Sequence, residues 1–152
     1  EWYGKRQMVD DQARALTLLA EGLLSQGRPG MAREPAERAR ALGERSEDAE
    51  VQVVVNAGVS RVDAAAGGAS GARAAAGTLR QAVEQATRTG LVTAGLEARF
   101  VLGTIEIEAA DRQGGREVLE AVRREAAERG FKLLAQRAEI VLKGEALGAR
   151  LG

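Results

Sequence analysis

The sequence predicts an all-α chain of about seven helices, arranged as a repeat array of helical hairpins. Apolar residues recur at helical spacing along almost the whole chain. Many of the 19 glycines fall between these periodic segments, where glycine ends helices. Hydrophobic residues make up 45% of the chain but aromatic residues only 3%, so the core must consist of Ala, Leu and Val. Alanine-lined helices can approach closely, which favours stacked hairpins over a β-sandwich or barrel.

The first unit covers residues 7–45 and contains two helices. The first helix is predicted over about 7–25 and ends at Gly27, and its buried stripe consists of Leu16, Leu19, Ala20 and Leu23. Residues 28–30 form the turn. The second helix is predicted over about 31–45, with Pro35 in its first turns, where proline is tolerated. Its buried stripe consists of Ala32, Ala36, Ala39 and Leu42.

The second unit covers residues 46–90. Ser46 is the predicted cap of a helix over about 47–66. The β-branched run Val51–Val55 could form a strand, but the length and the helical spacing of its flanks favour a helix. Gly67 and Gly68 form the predicted turn before a helix over 71–89. We expect the Asn56 amide to hydrogen-bond a neighbouring helix rather than a ligand.

The third unit covers residues 91–130. Its first helix is apolar on most of its surface, so we expect it to contact neighbours on two sides. A glycine turn, 112–115, leads to a second helix over 116–129 with one buried stripe and charged residues elsewhere. Gly130 is the predicted left-handed residue at its end. A last helix over 131–147 carries Leu133, Leu134, Ala138, Val141 and Leu142.

The units repeat every 40–45 residues, a period typical of helical solenoids, and residues 1–152 form one predicted domain. Because the chain starts with Glu1 and has no initial Met, we expect a segment of a longer protein or a processed protein. Trp2 and Tyr3 lie before the repeats. We expect their side chains to pack on a preceding helix or on a second copy of the chain.

Two stretches resemble a known family. The spacing of Leu16, Leu19, Ala20, Leu23, Gly27, Ala32, Ala36 and Ala39 resembles a tetratricopeptide repeat. The stretches 96–99, 102–106 and 128–131 resemble C-terminal tetratricopeptide-like segments of large bacterial signalling proteins, which include serine/threonine kinases and winged-helix regulators. The resemblance covers about residues 11–139. It implies a right-handed solenoid that acts as a protein–protein interaction scaffold in the bacterial cytoplasm.

The net charge and the residue types that the chain lacks narrow the range of possible functions. Lys and Arg together number 22, as do Asp and Glu, and this zero net charge argues against nucleic acid or an anionic membrane surface as partner. The chain has no His and no Cys, which removes the usual metal ligands and the commonest nucleophiles and bases. We therefore expect no catalysis, no cofactor and no metal. The expected partner is a protein or peptide, or a second copy of this chain.

The candidate partner-binding residues are Arg99 and Glu106, which share one helical face with Gly103 and Ala110. Such a line of polar and small residues on an inner helix can receive a peptide. Glu108 lies two positions after Glu106, on a different face, so we expect one of these acids to be solvated and the other to pair with an arginine. The alternative function is a sensor module that binds a small metabolite between inner helices.

Overall fold

The protein is a row of helices. The structure, a computed structural model, describes the backbone of residues 2–109 and 111–151 and the side chains of residues 4–109 and 111–145. Within these residues the all-α prediction is confirmed, with no strand. The helices are α1 (Trp2–Ser25), α2 (Pro29–Gly43), α3 (Ala49–Thr89), α4 (Val92–Ala109), α5 (Arg112–Glu128) and α6 (Lys132–Leu151).

The described residues form six helices rather than seven because α3 contains its own reversal. Gly68 has φ 61° and ψ −151°, a conformation that only glycine adopts readily. The side chains of Gln52 and Gln85 hydrogen-bond each other although they lie 33 positions apart. A straight helix would separate them by about 50 Å. The two arms of α3, residues 49–67 and 69–89, therefore fold back on each other, and the predicted turn at Gly67 and Gly68 uses a single non-helical residue.

The amide hydrogen bond that we expected of Asn56 is made one turn earlier. Gln52 accepts from the side-chain amide of Gln85, whereas Asn56 is only half-buried. This hydrogen bond links the two arms of α3 directly.

Each helix contacts only its near neighbours in the row. α1 packs on α2 and α3, α2 on α3, α3 on α4, α4 on α5 and α6, and α5 on α6. In the described part of the chain, no backbone contact joins α1 or α2 to α4, α5 or α6. The helices therefore form an open array rather than a closed bundle.

Two ion pairs between successive units have the same sequence spacing. Glu97 of α4 binds Arg137 of α6, 40 positions later. Glu21 of α1 and Arg61 of α3 are ion-paired at the same separation of 40 positions. This spacing agrees with the predicted period. The right-handed twist and the tetratricopeptide relationship stay predictions.

The first arm of α3 is buried on two sides. Val51, Val55, Val59 and Val62 belong to an apolar cluster with α1 and α2. Val53 belongs to a second cluster, which includes the other arm of α3 and residues of α4, α5 and α6. Residues two apart on a helix point about 200° apart, so alternate valines enter different clusters. The strand-like alternation of Val51–Val55 therefore comes from a helix that lies between two cores.

Glycine ends three helices as predicted. Gly27, Gly90 and Gly130 have φ of 71°, 70° and 82°, the left-handed conformation that closes a helix C-terminus. At the start of α3, however, the predicted cap was wrong. Asp48 is the N-cap residue, and its carboxylate accepts hydrogen bonds from the backbone of residues 50 and 51. The Ser46 hydroxyl instead donates to Asp10 of α1 at 2.6 Å.

The predicted glycine turn at residues 112–115 was also wrong, because these residues form the first turn of α5. Asp111 caps this helix by accepting from the Gly114 backbone. A Cβ at Gly115 would lie 2.7 Å from the Gly103 carbonyl oxygen and 2.6 Å from the Ile107 nitrogen. Gly115 therefore allows α5 to approach α4 closely, and the chain reverses without a glycine loop.

The remaining differences lie at the ends of helices and of the row. α1 begins at Trp2 and α2 at Pro29, a first helical position that suits proline. Pro35 lies inside α2 and is buried. Leu19 and Leu133, expected in buried stripes, are 53% and 71% exposed because they lie on the outer faces of α1 and α6. The side chains of residues 2 and 3, and residue 110, lie outside the described residues.

Among the helices that the structure describes, none has both the length and the apolar content of a bilayer span.

Candidate functional site

The two sequence-predicted site residues lie on the face of α4 that packs against α3 and α5. Arg99 donates to Glu125 of α5 at 2.6 Å. Glu106 is 7% exposed and pairs with Arg80 from the second arm of α3. Between them, a Cβ at Gly103 would lie 2.8 Å from Leu119 of α5. We call Arg99, Gly103 and Glu106 the closed face of α4.

The charges of the closed face are balanced within the chain. The hydrogen bond from Arg99 lowers the pKa of the Glu125 carboxyl, and Arg129 adds a second one at 3.1 Å. A recess of about 200 Å³ beside Arg99 is lined mainly by apolar residues, among them Val83 and Leu91. Both candidate residues thus have intramolecular partners, and their role in partner binding stays a prediction.

The expectation for the two neighbouring acids is confirmed. Glu106 pairs with an arginine, whereas Glu108 is exposed. Because they point in different directions from α4, they do not form an acid pair.

The other side of α4 presents Phe100 between two arginines. The Arg137 guanidinium carbon lies 4.5 Å from the centre of the Phe100 ring, and that of Arg61 lies 6.0 Å from it. Both distances fall within the range of cation–π attraction. Arg61 comes from the first arm of α3 and Arg137 from α6. Together with their acidic partners, Glu21 of α1 and Glu97 of α4, these residues form what we call the arginine–phenylalanine cluster.

The two arginines of this cluster are paired unequally. Arg137 donates to both oxygens of Glu97, at 3.0 and 3.1 Å. Arg61 lies 3.6 Å from Glu21, and it makes no hydrogen bond to any described residue. Burial lowers the pKa of the Arg61 guanidinium, and the negative charge of Glu21 partly opposes this shift. Arg61 remains a cation at neutral pH, with the carboxylates of Glu21 and Glu97 nearby.

Two recesses flank Arg61, and together they form what we call the groove. One, of about 280 Å³, is lined by Leu24, Arg61, Ala64, Ala65, Phe100, Val101, Thr104, Ile105 and Glu108. The other, of about 240 Å³, is lined by Glu21, Glu50, Val54, Ala57, Gly58, Arg61, Thr93, Ala94, Glu97 and Val101. The groove therefore draws on three successive units, through α1, the first arm of α3 and α4.

The sequence did not point to Arg61, Phe100 and Arg137 as site residues. Their signal is the repeat spacing, since Glu21 and Arg61, and likewise Glu97 and Arg137, are 40 positions apart. Opposite charges at equivalent positions of adjacent units indicate contacts between those units. The groups of the cluster can bind by charge, by contact with an aromatic ring and by apolar burial. The described residues contain no group of three or more His, Cys, Asp or Glu placed to hold a metal ion.

No protein-family model, no curated protein and no solved structure matches this chain.

Proposed function

We propose that this chain is a non-catalytic interaction module that docks a segment of another protein in the groove. It acts as a scaffold within a larger bacterial signalling or regulatory protein of the cytoplasm. The observation that carries the proposal is the groove itself, two adjoining recesses with apolar walls and a few polar groups. Surfaces of this kind recognise ligands, because apolar contact supplies affinity and the polar groups fix orientation.

The groove suits docking better than the closed face. On the closed face, α5 already covers Gly103, and the charges of Arg99 and Glu106 are neutralised by Glu125 and Arg80. A partner there would have to displace these ion pairs before gaining contacts. In the groove, α1, α3 and α4 leave space between them, so a partner can add contacts without breaking helix packing.

The proposal is tested by selecting dodecapeptides from a phage-displayed random library and measuring their affinity by fluorescence anisotropy. The Thr104→Lys variant places a long side chain at the wall of the larger recess, where Thr104 is half-buried. We expect it to weaken the selected peptides about tenfold or more, since it fills the apolar contact surface. Circular dichroism checks that the helices persist.

The control variant is Arg99→Ala combined with Glu106→Gln, which changes the closed face alone. We expect peptide affinity to stay within about twofold of the wild-type value, as for residues outside an interface. A loss of binding in this variant, with Thr104→Lys unaffected, would assign docking to the closed face and refute the groove.

The larger recess also favours a second candidate function, a small-ligand sensor. Its volume of about 280 Å³ is close to the lower limit of ligand pockets, about 300 Å³. A thermal-shift screen separates the two functions. A metabolite that raises the melting temperature favours the sensor, whereas a rise with selected peptides alone favours the scaffold.

A further inference from the structure

The connection between the two arms of α3 is a single residue. Within α3, which runs from Ala49 to Thr89, only Gly68 departs from helical φ and ψ. Its φ of 61° and ψ of −151° are open to glycine and strained for any other residue. Residues 67–70 are exposed, so no core packing holds the reversal in place. A change of backbone conformation at Gly68 alone would turn the two arms into one continuous helix.

The register of the two arms also suits a pair of straight helices. Gln52 and Gln85, which hydrogen-bond each other, lie 16 positions before and 17 positions after Gly68. Near the reversal, a Cβ at Gly71 would meet the carbonyl oxygen of Asp63. Both pairs are therefore centred within about one position of Gly68. Two straight copies of α3 that cross antiparallel at Gly68 would bring Gln52 of one copy to the partner's Gln85.

We propose that Gly68 is the hinge of a domain-swapped dimer. α3 straightens at Gly68, and two copies exchange the second arm of α3 together with α4, α5 and α6. The groove is built from α1, the first arm of α3 and α4, so each of the two grooves in the dimer combines Arg61 of one copy with the partner's Phe100. The exchange does not depend on what the groove binds.

The closed monomer and the swapped dimer share the same helix contacts, so the hinge and the protein concentration decide between them. A one-residue link gives the two arms of one chain a high effective concentration, which favours the monomer in dilute solution. Arg33 of α2 donates to the Ala66 carbonyl oxygen, two positions before Gly68. In a straight helix, the N–H of residue 70 would bond this carbonyl instead. Arg33 therefore stabilises the closed form.

The first test measures molar mass by size-exclusion chromatography with light scattering at several concentrations. We expect the native chain to be a monomer when dilute and to form a dimer toward about a millimolar. Gly68→Ala should lower the dissociation constant of the dimer about a hundredfold or more, because alanine is strained in the reversal and favours a continuous helix. The matched control is Gly77→Ala. Gly77 is helical in both forms and an added Cβ meets no atom within 4 Å, so the constant should stay within about threefold of the native value.

A cross-link between chains shows whether the dimer is swapped. The chain has no Cys, so Gln52→Cys and Gln85→Cys can be prepared on separate chains with Gly68→Ala. The two proteins are mixed in urea, refolded together and treated with a short bismaleimide. We expect a covalent dimer, because the swap brings position 52 of one chain to position 85 of the other. A dimer formed through another surface would keep these positions apart.

A second variant covers the case in which Gly68→Ala does not fold. Arg33→Ala retains the native hinge and removes the side chain that binds Ala66, so the dissociation constant should fall about fivefold. The cross-link is then sought in this variant at high concentration. Arg38→Ala, an exposed arginine of the same helix that pairs with Glu34, should leave the constant unchanged.

Three results would each overturn the hinge: a native chain that stays monomeric up to about a millimolar, a folded Gly68→Ala chain that stays monomeric, or a dimer that gives no cross-link between chains. A cross-linked dimer to which no selected peptide binds would retain the hinge and remove the docking function.

Discussion

The two sides of α4 carry similar residue types but differ in how closely other helices pack against them. The closed face has an arginine, a glutamate and a glycine; α3 and α5 bury the glutamate and the glycine, and the arginine pairs with Glu125 of α5 at 28% exposure. The groove side has Glu97, Phe100 and Glu108, and two recesses remain open beside them. Charges on the closed face are used for helix packing, whereas the groove side faces Arg61 of α3, which is ion-paired with Glu21 but not hydrogen-bonded to it.

The difference between the two sides of α4 shows how small residues on an inner helix should be interpreted. Gly103 was a reason to expect a peptide groove, because a missing side chain leaves room. In the structure α5 takes that room, with Leu119 and Gly115 against Gly103. A glycine beside charged residues can therefore mark close contact between helices as readily as a binding surface.

The largest expected effect on stability comes from adding a side-chain atom to the tight contact between α4 and α5. Gly115→Ala puts a Cβ against two backbone atoms that cannot move without shifting a helix, so we expect it to lower the free energy of unfolding by about 3 kcal/mol. Urea denaturation followed by circular dichroism measures this.

The matched control is Gly77→Ala in the second arm of α3, where an added Cβ meets no atom within 4 Å. We expect it to stabilise the chain by about 0.5–1 kcal/mol, the usual gain for alanine over glycine inside a helix. Similar effects of the two substitutions would show that α4 and α5 are not in close contact.

A smaller effect is expected for the buried acid of the closed face. Arg80→Ala leaves the Glu106 carboxylate without its cation at 7% exposure. The Arg80 side chain is 59% exposed, so we expect a loss of about 1–2 kcal/mol rather than the larger cost of breaking a fully buried pair. Arg73→Ala, an exposed arginine on the same arm, should change stability by less than about 0.5 kcal/mol. Equal stabilities of the two variants would contradict the burial of Glu106.

The smallest effect concerns Arg99. Its hydrogen bond lowers the pKa of Glu125, so this pair stabilises the folded chain above the ordinary glutamate pKa, and the contribution is lost as the pH falls through the lowered pKa. Arg99→Ala should raise the Glu125 pKa toward its ordinary value and cost less than about 1 kcal/mol at pH 7. Carbon-13 NMR titration of the Glu125 carboxyl measures the pKa. An unchanged pKa would show that Arg99 and Glu125 do not pair in solution, which would leave Arg99 available to a partner.

Local sequence signals predicted the helices and the C-terminal ends of three of them, because these depend on residues close in sequence, whereas several N-terminal starts were placed wrongly. Gly27, Gly90 and Gly130 close helices through their own backbone conformation. Val51–Val55 could be assigned to a helix by the spacing of its flanks, although its alternation required two cores to explain. The function of Gly115 could not be predicted, since it depends on the backbone of α4 next to it.

The site was harder to predict than the fold. Arg99 and Glu106 share a face of α4, as the helical period requires, but which helix covers that face is a tertiary property. Arg61 lies 39 positions before Phe100 and meets it only because the units stack. The 40-residue spacing of the charge pairs was present in the sequence, and a comparison of equivalent positions could have found it.

Leu24 of α1 and Phe100 of α4 border the same recess, although the described backbones of these two helices do not touch. A ligand that fills that recess contacts both α1 and α4. It would therefore connect two units whose described backbones are otherwise joined through α3. An occupied groove should make the row stiffer against bending.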